Sequence, residues 1–171
     1  MGRRKLIAKP RRGGAWQGTT MPSQKLIDYL NHEGVKYSLV HHSHAVTASE
    51  IAQATHISGR NLAKTVVVDI DGRLALAVLP ATKQVHPDEL AKDVGAKAVR
   101  LAKEYEFEDR FPDCEVGAMP PMGNLYGLEV FVSPELTADE MIAFNAGTHE
   151  EVVQMPYAVF ERLVNPILLK F

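Results

Sequence analysis

Lys64-Thr65-Val66-Val67-Val68-Asp69-Ile70-Asp71-Gly72-Arg73-Leu74-Ala75-Leu76-Ala77-Val78-Leu79 decides the fold. Two β-rich runs flank an Asp-Gly pair that suits a tight two-residue turn, so the stretch predicts a hairpin. Upstream, Leu26, Ile27 and Leu30 before Gly34 predict a short amphipathic helix stopped by glycine, and Lys36 to Val40 alternates as a half-buried strand. Thr47-Ala48-Ser49-Glu50 sets a hydroxyl three residues before a carboxylate, the spacing of a capping box, so a helix follows through Ile51 and Ala52. Downstream, Pro87-Asp88-Glu89-Leu90 opens a helix, Lys97 to Leu101 reads as a short strand and Glu104 to Phe111 as a helix. Strands are expected at Leu128 to Val132, Met141 to Phe144 and Glu151 to Met155, and a helix from Tyr157 to Val164. Helices and hairpins interleave without a regular βαβ period. The expected class is α+β, a single domain with a central, mostly antiparallel or mixed sheet flanked by helices.

With 171 residues, 46% hydrophobic and 23% charged, the chain can bury a sizeable core without disulfides. Its one cysteine, Cys114, excludes an internal disulfide and a cysteine zinc site, so a cytoplasmic location is expected. No apolar run approaches the roughly 20 residues of a membrane helix. Met1-Gly2-Arg3-Arg4-Lys5 precedes only three apolar residues before Lys9-Pro10, so neither a leader nor a membrane partner is expected. Residues 1–20 hold Arg3, Arg4, Lys5, Lys9, Arg11 and Arg12 and no acid, and read as a basic disordered tail before a domain over 21–171. Such a tail is either an arm that attracts phosphates or a stretch of no consequence ahead of a true start at Met21. The remainder carries thirteen basic residues against 21 acidic ones, which is not a broad surface for nucleic acid.

Three features could carry chemistry. Lys64 leads a strand of three valines, where a cation either reaches water along its alkyl stem or presents a fixed charge to a ligand. Residues 113–127, with Gly117, Pro120, Pro121 and Gly123, are either a surface connection or a shaped loop that aims peptide N–H groups at an anion. Asn145-Ala146-Gly147-Thr148-His149 lies between two strands. His41, His42 and His44 have no acidic or cysteine partner close in sequence, so no metal site is expected and hydrogen-bonded or solvated rings are favoured. Nothing in the sequence designates a base for Cys114 as a nucleophile. No cofactor motif is present.

Taken in order, Gly59-Arg60-Asn61-Leu62-Ala63-Lys64-Thr65-Val66-Val67-Val68, then Gly117-Ala118-Met119-Pro120-Pro121-Met122-Gly123, then Phe144-Asn145-Ala146-Gly147-Thr148-His149 resemble the YbaK-like aminoacyl-tRNA editing (prolyl-tRNA editing) domains. The resemblance spans about residues 22–165. It implies a freestanding deacylase acting on the acceptor end of a mischarged aminoacyl-tRNA, with an aminoacyl-tRNA synthetase as a further expected partner. The family's lysine falls on Lys64 and its glycine loop on Gly117 to Pro121. A polar pocket residue falls on His149 and a pocket hydroxyl near Thr47. On this reading Lys64 holds the substrate, Gly117 and Ala118 donate to an oxyanion, and Thr47, Asn61, Thr65, Pro120 and His149 bind substrate. The alternatives left open are a non-catalytic binder of tRNA ends or of a synthetase, and a hydrolase of small esters or thioesters.

Overall fold

The computed structural model describes residues 5–7 and 21–171. The basic tail expected over residues 1–20 lies outside the described residues, apart from the strand β1 (Lys5–Ile7). After it come α1 (Gln24–His32), β2 (Ser38–His41), α2 (Ala48–Thr55), β3 (Ala63–Ile70), β4 (Arg73–Pro80), α3 (Pro87–Val94) and β5 (Val99–Leu101). The chain continues through α4 (Glu104–Phe107), β6 (Glu129–Val132), β7 (Met141–Asn145), β8 (Glu151–Pro156), α5 (Tyr157–Val164) and β9 (Ile167–Leu168).

The hairpin forms from β3 and β4 in the register that pairs Ile70 with Arg73. Its turn residues, Asp71 and Gly72, have φ of 49° and 86°, a left-handed region that Asp and Gly enter at low cost. The Asp71 carboxylate accepts the backbone N–H groups of Lys97 and Ala98 at 3.0 and 2.8 Å. Those bonds hold its pKa below the usual aspartate value and dock β5 beside β3.

The α+β class and the mixture of strand directions are as expected, but the strands divide between two sheets. The order β1-β2-β8-β7 is antiparallel throughout, whereas β5-β3-β4-β6-β9 is mixed because β6 runs parallel to both β4 and β9. The division falls at one point of contact between distant segments. Leu62 makes a single parallel bridge to Ala143, fixed by the Ala143 N–H on the Asn61 carbonyl at 2.9 Å, and no ladder continues beyond it.

Strand alternation assigns the faces. Val67, Leu76 and Val78 meet Leu39, Phe144 and Val153 of the other sheet in the main core, with Leu26 of α1 and Phe160 of α5. On the far side of the second sheet, Val68, Ala77 and Leu79 cluster with Leu90 of α3. On the far side of the first, Ala143 and Val152 cluster with Leu62 and with Ile51 of α2. Because both faces of β4 are covered, its run is apolar without alternation.

Two local outcomes bear on the sequence reading. The helix expected from Glu104 to Phe111 ends at Phe107 and tightens into a 3-10 turn over Glu108–Arg110. Phe107 itself leaves the helical region, at φ −131° and ψ −9°, and Pro112 ends the 3-10 turn by driving the residue before it, Phe111, to φ −122° and ψ 61°. The capping box does form. The Thr47 Oγ1 accepts the Glu50 N–H at 3.2 Å and the Glu50 carboxylate accepts the Thr47 N–H at 2.9 Å. Thr47→Ala is expected to lower the unfolding free energy in denaturant melts by about 1 kcal/mol, and Thr47→Asn to restore most of it.

Candidate active site

The bridge between Leu62 and Ala143 determines where the site can lie. Side chains two residues apart on a strand share a face, so Lys64 leaves β3 on the side of Leu62, and Asn145 leaves β7 on the side of Ala143. Leu62 and Ala143 both belong to the cluster beneath α2. Lys64 therefore stands just past the bridge, where pairing between the two sheets stops. Val66, two residues on, packs with the cluster beneath α3, so the ammonium stem rises at the seam between two apolar patches. Burial pushes the Lys64 pKa below the ordinary lysine value, and no charged neighbour contributes to that shift. Among the described residues, no carboxylate lies within 4.0 Å of its nitrogen. A half-buried cation without a counter-ion is set to receive an anionic or negatively polarised group.

The loop over residues 113–118 and the hairpin tip over 145–149 lock together. Glu115 N–H donates to the Gly147 carbonyl at 2.8 Å and Gly147 N–H to the Ala118 carbonyl at 3.0 Å. The Glu115 carboxylate accepts the His149 N–H at 2.9 Å. His149 is buried, and its Nε2 lies 3.0 Å from the Val116 carbonyl oxygen. A carbonyl can only accept, so Nε2 carries the hydrogen, and in the neutral ring Nδ1 is left as a buried acceptor without a partner. His44 packs edge-on against the same ring with centroids 5.5 Å apart.

Gly117, at φ 84°, sits against His149, whose Cε1 would lie 3.6 Å from a Cβ placed there. Among the described residues its N–H meets only the Met119 thioether at 3.2 Å, a weak acceptor that a substrate oxygen can displace. Ala118 corrects the expectation of a second oxyanion donor. It is fully buried and its N–H is already bonded to the Glu115 carbonyl at 3.0 Å. Gly123 also differs from expectation, because a Cβ there would lie 2.3 Å from the Leu128 carbonyl oxygen. Its backbone approaches the protein itself, not a ligand.

The other expected substrate contacts disperse. Thr65 leaves β3 on the opposite face from Lys64, the side of Ala63 and the main core, because the strand pleat alternates. Asn61 contributes its backbone to the bridge, and Pro120 is buried within the loop. Thr47 caps α2, two residues beyond Ala45, whose N–H reaches the His149 carbonyl at 3.1 Å. The Cys114 thiol is half-buried, and burial pushes its pKa up to about 12, so it is protonated and unreactive at neutral pH. Among the described residues no group of three or more histidine, cysteine or acidic side chains could hold a metal ion. Two surface clefts of about 440 and 340 Å³ share Lys83 and Glu135 on their walls, and neither is lined by Lys64 or His149.

Sequence reasoning missed Glu115, gave Asn145 no role of its own within the segment it singled out, and missed the bracket behind Gly147. There Ser23 donates its backbone N–H to the Ala146 carbonyl at 2.7 Å and its hydroxyl to Asp113, which also accepts the Tyr126 hydroxyl at 3.2 Å. Ser23 and Asp113 are 90 residues apart, and nothing in their local sequence signals the contact.

A family model described as an aminoacyl-tRNA editing domain matches residues 42–163. The chain is 30% identical over 154 residues to the multifunctional Ser/Thr-tRNA deacylase ProXp-y of Escherichia coli strain K12, covering 86% of this chain and 91% of that protein. The ProXp-y of strain O157:H7 matches to the same extent. Among solved structures, a proposed trans-editing enzyme for prolyl tRNA synthetase superposes with a TM-score of 0.76 at 17% identity, over 86% of this chain and 94% of that one, a likeness of fold.

Proposed function

The chain belongs to the aminoacyl-tRNA editing domain family and is an ester hydrolase that deacylates mischarged aminoacyl-tRNA in trans, and from that premise we propose that Lys64, Gly117 and His149 carry the reaction. Editing of this kind answers a physical limit. A synthetase pocket separates side chains that differ by one methylene by only about 1–3 kcal/mol, so a second site that hydrolyses the wrong ester adds fidelity.

The scissile ester is already activated, and the demand on the protein is electrostatic. Water adds to the ester carbonyl, the bond from carbonyl carbon to ribose oxygen breaks, and a proton passes to that oxygen as the free amino acid leaves. The ribose's neighbouring hydroxyl orients the water. Lys64 stabilises the negative charge that develops on the carbonyl oxygen, with the Gly117 N–H as second donor. His149 orients the aminoacyl group. Val116, whose carbonyl meets this ring, and Val46, which follows the Ala45 bonded to the His149 carbonyl, are 39% and 58% exposed and offer apolar surface to the terminal adenine.

The observation that carries this reading is an ammonium group half-buried without a counter-ion, on the face shared with Asn145 at the point where the two sheets part. Seryl and threonyl esters are the proposed substrates, by analogy with the E. coli deacylase. We place the reaction in the cytoplasm, where charged tRNA is used, with a synthetase as a proposed partner. No helix among the described residues is long and apolar enough to cross a membrane.

Deacylation across a panel of mischarged tRNAs tests the proposal, with the fastest turnover expected for a seryl or threonyl ester on a non-cognate tRNA. Binding without turnover would point to a non-catalytic module, and equal rates on free aminoacyl esters would point to a small-ester hydrolase.

A further inference from the structure

Three side-chain acceptors near the hairpin tip are buried and lack any hydrogen-bond partner among the described residues: His42 Nε2, Asn145 Oδ1 and His149 Nδ1. Leaving such atoms unpaired is costly, and three in one small region call for an explanation. They lie close in the fold. The His42 N–H donates to the Glu150 carbonyl at 2.9 Å, which extends the pairing of β2 with β8 by one residue. Strand alternation then sets His42 on the side of Val40, whose cluster holds Val152 and Ala143, and Asn145 shares the side of Ala143. His149 lies four residues beyond Asn145 in the same hairpin.

Both rings set one nitrogen against a backbone carbonyl. His42 Nδ1 lies 2.6 Å from the Ser43 carbonyl, so that nitrogen carries the hydrogen, and in the neutral ring Nε2 offers a lone pair, as Nδ1 does in a neutral His149. Burial also lowers the pKa of His42, which keeps its ring neutral. One acidic group lies beside each ring. Glu150 acts on His42 through its charge, and the Glu115 carboxylate lies 3.8 Å from His149 Nε2. The region thus presents acceptors and negative charge, and the cation on the same face, Lys64, belongs to the neighbouring strand.

We propose that His42, Asn145 and His149 form a subsite for the α-ammonium group of the aminoacyl ester. An ammonium carries three N–H donors, matching three buried acceptors in a field of carboxylates, while the ester carbonyl one carbon away turns toward Lys64. The inference rests on the deacylase reading and deepens it. The site reads the free amine, common to all aminoacyl esters, and rejects an ester that lacks it. His42 and Asn145 are binding residues in this account and take no part in bond breaking.

The test compares one non-cognate tRNA carrying either the seryl ester or its deaminated counterpart, in which a hydroxyl replaces the amine. Each is assayed with the unaltered protein and with His42→Phe, His42→Gln and Asn145→Ala. The unaltered protein is expected to prefer the seryl ester in kcat/KM by about 10- to 100-fold, the range for a hydrogen bond to a charged group. In His42→Phe and Asn145→Ala that preference should fall at least about fivefold, while His42→Gln, which keeps an acceptor, retains more of it. Turnover of the deaminated ester by each variant reports that its fold is intact. A preference near unity in the unaltered protein, or a preference unchanged in all three variants, would overturn the subsite. Failure of the unaltered protein to hydrolyse either ester would overturn the deacylase reading, and the subsite with it.

Discussion

Replacing Lys64 by methionine is expected to slow deacylation of a mischarged tRNA by about 10²–10³-fold, the usual cost of removing one electrostatic donor from a developing oxyanion. The same change should leave the melting temperature unchanged or raise it. Burial depresses the Lys64 pKa and no counter-ion compensates, so the folded protein pays to hold that charge. The sign of the pH dependence follows. Between the depressed folded pKa and the ordinary lysine value of about 10.4, the unfolded chain binds the proton more fully than the folded one, so this group makes stability rise with pH across that window. Below the window both states are protonated and the full desolvation cost remains. Thermal melts at neutral and alkaline pH should show the rise in the unaltered protein and a smaller one in Lys64→Met. A variant that melts early at neutral pH and loses activity in proportion would mean that Lys64 supports the fold and not the reaction. Methionine is the replacement of choice because its length and apolar character suit the seam the lysine stem occupies.

Gly147→Ala should be strongly damaging to the hairpin tip that carries His149. Gly147 has φ 94°, and a Cβ there would lie 2.8 Å from the Ser23 Cβ and 3.3 Å from the Cys114 Sγ. Ser23 cannot retreat freely, being tied to the Ala146 carbonyl and to Asp113. Left-handed strain of about 1–2 kcal/mol therefore adds to an overpacking cost of about 1–3 kcal/mol. For a chain of this size the sum lowers the melting temperature by roughly 4–20 °C. Gly72→Ala is the matched control. Gly72 has φ 86° and nothing within 4 Å of a built Cβ, so only the strain applies. The difference between the two variants measures the packing alone, and equal losses would show that Ser23 and Cys114 yield without cost. Activity should fall in Gly147→Ala beyond its loss of stability, because this backbone bonds Glu115 and Ala118 and so aligns His149 with Gly117.

Much of the architecture was legible because its causes are local. Asp71-Gly72 specifies its turn through backbone sterics, and Thr47 with Glu50 specifies a helix start through two reciprocal hydrogen bonds. Even the end of the helical stretch at Phe111 had its cause in view, in Pro112. The site was legible in part. Lys64 stood out because a cation heading an apolar strand needs a reason, Gly117 and His149 lay in two segments the pattern singled out, and the resemblance gave His149 its role. The surroundings of Ala118, Thr65 and Gly123 were not legible, because motif spacing says nothing about which N–H a turn consumes or which way a pleat points.

Residue order alone was enough to establish the hairpin, the helix caps, the α+β class and a lysine in need of a partner, since each depends on interactions within a few residues. The parting of the sheets beyond Leu62 and Ala143, the shared face of Lys64 and Asn145, and the Ser23–Asp113 bracket depend on contacts between segments far apart along the chain. Such contacts form only when the whole core closes, because the entropy lost in ordering them is recovered through the burial of both sheets together, and no short stretch carries that sum.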